Sequence, residues 1–368
     1  MNRNWKSKAL VALMMTVAVS MSTSCNMIDE DLDDCEVDFR AQYRMCLVTN
    51  ENPEIVRVLG EHTSIANDLR EHLKDVFTDY GRDLSLSFYA LPDSALTLPL
   101  RDQLPTVMNA TEKSFDIFMP IFDYMHLAVA NVQPNGPVSQ RNTDRCHGSQ
   151  LALVASAATV QDPGSLSDAV ASQQSGLFSG RRLLTGITYG PQQYDFPLYM
   201  ANSAAAIVLD PRTAQFTDVR IFTAGFAHAF SVCDSVYRYG ADYLVRSDRV
   251  ALNNTNWLCF CGVSLPSRDV ENGKLKIENA STRSRVDIDE PVFLYDDCGE
   301  DIWYYDCYVT MATGSITRTT LGIRHPLRAG QLKILKGWID DKGVIRLKDD
   351  EVSVSTDLDW REGLIFEH

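Results

Sequence analysis

The sequence predicts a mostly β protein with two antiparallel β-sandwich domains in tandem and one helix in the N-terminal domain. Three observations support this prediction. Short segments of alternating apolar and polar residues recur along the chain. Only one segment has the three- and four-residue apolar spacing that is typical of a helix. Apart from that segment, the strands follow one another without the helical crossovers that a parallel sheet needs.

A long alternating segment opens the first domain. Over residues 37–47, apolar and polar side chains alternate without interruption, which predicts a strand with one face in a core. The helix is predicted next, over about residues 64–80. Its apolar residues share one face, and Gly81 is a suitable stop.

The rest of the chain continues as strands and loops. Further strands are predicted over residues 84–90, 115–121, 124–132, 194–209, 219–223, 257–265, 292–295, 303–311, 330–334 and 352–360. Residues 133–190 have little periodicity and many Gly, Ser, Gln and Pro, so they predict long loops with short edge strands at 177–178 and 183–188. We therefore divide residues 35–368 into two β-sandwich domains, an N-terminal domain over 35–190 and a C-terminal domain over 191–368.

The charge composition argues against two classes of binding partner. The chain has 368 residues, with 34 Lys and Arg against 49 Asp and Glu, and a net charge of −15. Such a chain has no excess of basic side chains to neutralise phosphates, which argues against binding nucleic acid. The same charge argues against electrostatic docking on an anionic membrane.

A signal segment begins the chain. Three basic residues lie within the first eight, and residues 9–19 (ALVALMMTVAV) are apolar or nearly so. This segment is too short for a membrane-spanning helix, which needs about 20 residues, but it fits the apolar part of a secretory signal. Small residues then precede Cys25, an arrangement similar to a bacterial lipoprotein processing site, where the thiol receives a diacylglycerol. We predict a signal peptide over residues 1–24 and lipidation of Cys25.

The alternative is a plain signal peptide cleaved nearby, with Cys25 free or in a disulfide. Loss of residues 1–24 would remove three positive charges and leave −18 over 344 residues. Residues 25–34 follow, and five of the last six are acidic, which predicts a solvated tether between the lipid and the first domain. A similar acidic stretch follows the lipidated Cys of surface-displayed lipoproteins in some Gram-negative bacteria, so we expect a lipid-anchored, surface-exposed protein of the cell outer membrane.

Three segments share an order and spacing with one family. Cys25 is followed by residues 30–35 (EDLDDC) and then at once by the long alternating strand. Residues 124–131 (YMHLAVAN) resemble a strand that closes a first-domain sheet, and residues 357–360 (DLDW) resemble a C-terminal strand ending. Together they resemble the fimbrillin-A-associated anchor family, the FimB-like lipoproteins at the base of Gram-negative fimbriae. The resemblance covers nearly the whole mature chain, most loosely in its middle.

The resemblance implies a fold and a role. The implied fold is two transthyretin-like β-sandwiches. The implied partners are fimbrial, fimbrillin-type subunits, together with the outer membrane through the N-terminal lipid. The implied role is to hold a fimbrium on the cell surface and to limit its growth. An anchor with three acyl chains on one Cys exceeds the two signals needed for stable membrane attachment.

The same resemblance makes the first strand a candidate functional element. Subunits of such filaments are similar to those of other strand-exchange pili, where an extended segment of one subunit completes the sheet of the next. Stalk subunits lose their first strand to a protease, whereas an anchor is expected to keep it because the lipid lies upstream. We predict that the chain is not cut after Arg40 or Arg44. Arg181 and Arg182, in a predicted loop, are either a nick site or, more simply, a solvated basic pair.

Eight cysteines remain after Cys25, which permits four disulfides in an exported protein. The best local pair is Cys298 and Cys307, which could close a hairpin loop. Cys259 and Cys261 lie on one face of a predicted strand and could join Cys233 and His228 as zinc ligands. Buried or bridged thiols are the simpler interpretation.

No catalytic residue, metal or cofactor is predicted. The chain lacks the G-x-S-x-G, H-E-x-x-H and Walker-type patterns, and His126 lies in an apolar strand, where a core histidine is the simpler interpretation. The favoured hypothesis is therefore a fimbrial anchor without catalysis. A second is an adhesin that binds a glycan or host protein through sandwich loops, with residues 303–305 (WYY) as the densest aromatic cluster. A third is a zinc or carboxylate hydrolase.

Overall fold

The computed structural model describes residues 38–48, 52–78, 84–90, 112–120, 123–133, 136–141, 150–153, 169–185, 192–239, 243–271, 274–275, 301–347 and 352–357. Across these ranges the chain forms two helices and 23 strands, and the predicted mostly β class is confirmed. Neither helix in these ranges has the length and the apolar composition that a membrane-spanning helix requires.

Two sheets form the first sandwich. The N-terminal sheet has the strand order β2 (Ser85–Ala90), β4 (Tyr124–Ala130), β8 (Phe178–Leu184), β9 (Gln192–Met200), β1 (Asp38–Val48) and β3 (Glu112–Pro120). The small sheet has the order β13 (Val236–Arg238), β12 (Ala229–Ser231), β6 (Gln150–Leu153) and β5 (Val138–Arg141). Alternate residues of β4, such as Leu127 and Val129, share a buried core with Phe230 and Tyr237 of the small sheet.

Two further sheets form the second sandwich. The middle sheet has the order β15 (Asp248–Arg249), β16 (Leu258–Ser264), β10 (Ser203–Asp210), β21 (Leu332–Ile339) and β22 (Ile345–Leu347). The C-terminal sheet has the order β23 (Val352–Asp357), β20 (Ile316–Ile323), β19 (Trp303–Met311), β11 (Phe216–Ala224), β14 (Leu244–Arg246) and β7 (Ala169–Val170). Ile207 and Leu335 of the middle sheet pack against Tyr305 and Val309 of the C-terminal sheet. A separate hairpin joins β17 (Val270–Glu271) to β18 (Lys274–Leu275).

The helices lie between the two sandwiches. Helix α1 (Asn52–Leu59) and helix α2 (Thr63–Leu73) contribute Ile55 and Leu69 to a core that includes Phe88 of the N-terminal sheet and Ala206 of the middle sheet. The middle sheet is therefore buried on both faces. This explains why β10 is apolar along nearly its whole length instead of alternating.

The helix prediction needs correction on two points. The first domain contains two helices where one was predicted, and the helix that was not predicted is α1. The predicted helix 64–80 is also too long, since α2 ends at Leu73 and the chain turns there. Val76 and Phe77 still reach the same core, and the Asp75 carbonyl accepts a hydrogen bond from Gly176 N at 3.0 Å instead of continuing the helix.

The predicted loop region also needs correction. Residues 133–190 contain four described strands, β5 to β8, and two of them pair with strands far along the chain: β6 with β12 and β7 with β14. Not all pairing is antiparallel, because β1 pairs in parallel with β9, β7 with β14 and β10 with β21. The predicted strand at 292–295 lies outside the described residues.

Strand pairing crosses the predicted boundary at residues 190 and 191. β9 belongs to the N-terminal sheet, whereas β12 and β13 complete the small sheet that β5 and β6 begin. The division into residues 35–190 and 191–368 stays a prediction. Any cut at that point separates strands from their hydrogen-bonded partners.

Candidate functional site: the first strand and its surroundings

The first strand lies inside the N-terminal sheet rather than at its edge. It pairs antiparallel with β3, from Asp38 opposite Pro120 to Cys46 opposite Glu112. On its other side, residues 41–48 pair in parallel with β9. β1 is therefore paired on both sides over most of its length, and its loss would leave unpaired backbone groups on both neighbours.

The two arginines at which cleavage would separate the chain from the predicted lipid both lie in this strand. Arg44 lies between two neighbours, opposite Ser114 on β3 and Asp195 on β9. Arg40 lies opposite Phe118, one residue before the pairing with β9 begins. A protease needs a locally open segment, which a strand paired on both sides does not offer. That neither site is cut stays a prediction.

A stack of three rings ties β9 to the far edge of the sheet. The ring centroid of His126 lies 4.1 Å from that of Phe88 on β2 and 4.4 Å from that of Phe196 on β9, with 14° between the planes in both cases. Gly180 of β8 leaves room for this crossing, because a Cβ there would lie 3.2 Å from Cε1 of Phe196 and 2.9 Å from the Pro197 carbonyl oxygen. The sheet that holds β1 is thereby braced across four strands.

The stack compensates for sparse pairing between β8 and β9, which pair in register only at Phe178–Met200 and Ser179–Tyr199. His126 is fully buried, and desolvation, with a smaller contribution from Arg182, lowers its pKa to about 3. It is a core residue, as predicted, and it is neutral at physiological pH. The stack itself was not predicted, because Phe196 and His126 lie far apart in the sequence and come together only when the sheet has formed.

The basic pair predicted to lie in a loop lies in strand β8. Arg182 is half-buried, and its guanidinium carbon lies 5.4 Å from the ring centroid of Tyr194. Arg181 is exposed at residue level, and its Nη1 donates a hydrogen bond to the carbonyl of Cys233. Neither the nick site nor a freely solvated pair fits this arrangement, because both arginines are held by protein groups within a strand.

Cys25, the acidic tether over residues 25–34 and Cys298 lie outside the described residues. Lipidation of Cys25 and the Cys298–Cys307 disulfide therefore stay predictions. Cys307 faces the core of the second sandwich and is fully buried. No disulfide joins any two of the cysteines whose side chains the structure describes.

The candidate zinc ligands are not gathered into a site. Cys259 and Cys261 are both fully buried in β16 on the face toward the helices. Desolvation, with a smaller contribution from Asp68, raises the pKa of Cys259 to about 12, and burial also raises the pKa of Cys261. In the described part of the chain, no three His, Cys, Asp or Glu side chains come close enough together to hold a metal ion.

The aromatic cluster at residues 303–305 is mainly packing. Trp303 and Tyr305 are fully buried, and Trp303 Nε1 donates to the carbonyl of His325 at 2.9 Å. Only Tyr304 faces outward, at 37% exposure. A single partly exposed ring does not provide the stacking platform that the adhesin hypothesis placed there.

Comparison with known proteins gives structural matches only. No protein-family profile matches the chain, and no curated protein matches it in sequence. A candidate adhesin from Bacteroides ovatus has a TM-score of 0.45 at 10% identity, over 79% of this chain and 84% of its own. The fimbrial anchor protein Mfa2 from Porphyromonas gingivalis has a TM-score of 0.40 at 8% identity, over 87% and 99%. The tip fimbrial protein Mfa3 from the same organism has 0.39 at 10%, over 88% and 100%. Identities and TM-scores this low do not assign a function to the chain.

Proposed function

We propose that the protein is an outer-membrane lipoprotein that anchors a fimbrium to the cell surface and takes part in its assembly and length control through strand-exchange contacts with fimbrial subunits. The observation that carries this proposal is the position of β1. It begins 13 residues after the predicted lipidation site and is paired with both β3 and β9.

The physical reason is that the first strand would both fill the groove in its own sheet and link the protein to the lipid. A subunit that receives a donor strand must have an open groove in its sheet, whereas a subunit that holds a filament on a lipid must keep its covalent link to that lipid. In this chain the groove between β3 and β9 is filled by β1 itself. A strand donated by a fimbrial subunit would therefore have to pair at another place on the protein. This is expected of a subunit at the end of a filament.

The experiment uses a strain with Cys25→Ala and an intact signal peptide. Fimbrial protein shed into the medium is compared with fimbrial protein retained on cells, and filament lengths are measured by electron microscopy. We expect release of filaments, with increased length, because the protein would lose its membrane attachment. Cys35→Ala is the matched control, since it removes a nearby thiol just after the acidic tether and leaves the lipidation site intact.

One result of this experiment would contradict the anchoring role. If the Cys25→Ala protein is no longer bound to the membrane and the filaments nevertheless stay on the cells, the anchoring role is wrong. The adhesin hypothesis would then lead. Among the described residues, no group of candidate metal ligands supports the hydrolase hypothesis.

A further inference from the structure

The N-terminal sheet ends at β3, next to the first strand. β3 spans Glu112–Pro120 and, with nine residues, is the longest strand at the edge of any described sheet. Its only strand partner in the described part of the chain is β1. The backbone N–H and C=O groups on its other side therefore form a row to which a further strand can pair.

The edge is regular over its whole length. β3 pairs with β1 residue for residue, from Cys46 opposite Glu112 to Asp38 opposite Pro120, without a register shift. Natural proteins usually protect an edge strand with a β-bulge, a proline, charged side chains or a very short length. After Lys113, β3 carries one charged residue, Asp116, and its only proline is the last residue. Over most of its length β3 therefore lacks the features that stop a further strand from pairing.

Two other strands have long stretches without a strand on one side, and both stretches are protected. β11 has a β-bulge between Phe216 and Asp218, in the stretch that β14 does not pair. On β21, in the stretch that β22 does not pair, the Glu54 carboxylate accepts a hydrogen bond from the Ile334 N–H at 3.0 Å. Among the residues that the structure describes, nothing comparable protects β3.

The charges of the chain favour a strand from another protein over a second copy of this one. The net charge of −15 opposes close association of two copies. β3 itself carries Glu112 and Asp116 against Lys113, so two β3 strands side by side would bring together four acidic residues and only two basic ones. An added strand with neutral or basic residues meets no such opposition.

We propose that the outer edge of β3 accepts an extended strand of a fimbrial subunit, which adds to the N-terminal sheet. This inference rests on the proposed anchoring function, because that function needs a pairing site other than the groove that β1 fills. Main-chain hydrogen bonds to β3 would hold the strand, and its alternate side chains would lie on the two faces of the sheet. The filament would then be connected to β1, and to the predicted lipid, through the β1–β3 pair.

Photo-crosslinking in cells tests where the added strand lies. Ser114, Asp116 or Thr217 is replaced by p-benzoylphenylalanine in a strain that assembles its own fimbriae, and crosslinked peptides are identified by mass spectrometry. Thr217 is the matched control, because it is exposed and lies on the protected stretch of β11. We expect the two β3 positions to crosslink to one extended segment of a fimbrial subunit, with a yield at least about fivefold above that from Thr217.

A pair of proline variants tests the main-chain hydrogen bonds. Successive residues of a strand direct their N–H groups to opposite sides, so one of Lys113→Pro and Ser114→Pro loses the N–H that faces β1 and the other loses an outward N–H. Thermal unfolding of the purified proteins identifies the outward variant, whose unfolding temperature stays close to that of the wild type. Combined with the photoreactive residue at position 116, this variant should lower the crosslink yield at least about threefold, because proline removes a donor at the edge.

The proposal is wrong if Ser114 and Asp116 crosslink no better than Thr217, or if they reach only other segments of this chain or a second copy of it. It is also wrong if the outward proline variant keeps the full crosslink yield. Should neither proline variant fold, the crosslinks at the two β3 positions decide alone.

Failure of this inference can be told apart from failure of the anchoring role. Release of filaments by Cys25→Ala, together with no crosslink from β3, would leave the anchoring role intact and overturn the β3 site alone. Filaments that stay on the cells in that variant, together with a crosslink from β3 to a fimbrial subunit, would do the reverse.

Discussion

The Glu54 carboxylate accepts a hydrogen bond from the backbone N–H of Ile334 at 3.0 Å, which joins helix α1 to a strand 280 residues further along the chain. Arg57, one turn later, donates to both carboxylate oxygens at 2.9 Å. Glu54 is only 8% exposed. The helix thus pairs a backbone donor of β21 that would otherwise be buried without an acceptor.

Replacing Glu54 should therefore cost more than a surface charge does. We expect Glu54→Ala to lower the free energy of unfolding by about 2 kcal/mol, because the Ile334 N–H loses its acceptor in a buried site. Glu61→Ala, an exposed glutamate just after α1, should change it by less than about 0.5 kcal/mol. Urea denaturation measures both, and equal losses would contradict a specific role for the Glu54–Ile334 bond.

Acid should destabilise the ring stack. The folded-state pKa of His126 is lowered to about 3, against about 6.5 in an unfolded chain. The unfolded chain therefore binds the extra proton first, so the stability due to neutral His126 is complete above pH 6.5 and is lost progressively as the pH falls toward 3. Between pH 7 and pH 5 this amounts to about 2 kcal/mol.

His126→Phe keeps an aromatic ring in the stack and removes the titration. We expect the unfolding free energy of the wild type to fall by about 2 kcal/mol more than that of the variant between pH 7 and pH 5. Denaturation at both pH values measures the difference. Parallel pH profiles would show that the histidine does not titrate as the stack implies.

Two Asp–Arg pairs of the C-terminal sheet allow a matched comparison of burial. Asp306 accepts hydrogen bonds from Arg318 Nε at 2.8 Å and from the Tyr308 hydroxyl at 2.7 Å, and its side chain is 7% exposed. Asp218 meets Arg220 at 3.2 Å, with a side chain that is 55% exposed. Water has little access to the buried Asp306 carboxylate and could not take its place if it were removed. Water can take the place of the exposed Asp218 carboxylate.

We expect Asp306→Ala to lower the free energy of unfolding by about 3 kcal/mol, because it removes the carboxylate that accepts from Arg318, Tyr308 and Thr320. Asp218→Ala should cost at most about 1 kcal/mol. Thermal or urea unfolding separates the two variants. If Asp218→Ala costs as much as Asp306→Ala, burial is not what distinguishes the pairs.

The mature chain should keep its first strand. Protein extracted from outer membranes and digested with a protease that does not cut after arginine is expected to yield N-terminal peptides that span residues 40–45 uncut, because β1 is paired on both sides. Intact mass and peptide mapping measure this. A fragment beginning at Ala41 or Met45 would show cleavage after Arg40 or Arg44 and remove the basis of the proposed anchoring.

Long strands were readily predicted from the sequence. The alternation over residues 37–47 agrees with β1 within one residue, and the strand predicted at 303–311 coincides with β19. Residues 194–209 were predicted as one unit, but Asn202, buried between β9 and β10, marks the change from one sheet to the next.

Elements defined by distant partners were not predictable from local pattern. Helix α1 carries three β-branched residues in eight, which favour strands, and only the Asn52–Pro53 start indicated a helix. Strands β6 and β7 are too short to show a period, and each pairs with residues more than 70 positions away.

The parallel pairing of β1 with β9 has a mechanical consequence for a protein tethered by its N-terminus. If Cys25 carries the proposed lipid, a pull directed along the axis of β1 would load the hydrogen bonds to both neighbours in shear. A strand loaded in this way must break many bonds together, whereas a strand peeled from an edge breaks them one after another. The placement of the first strand between β3 and β9 would thus let the attachment resist the drag on a filament.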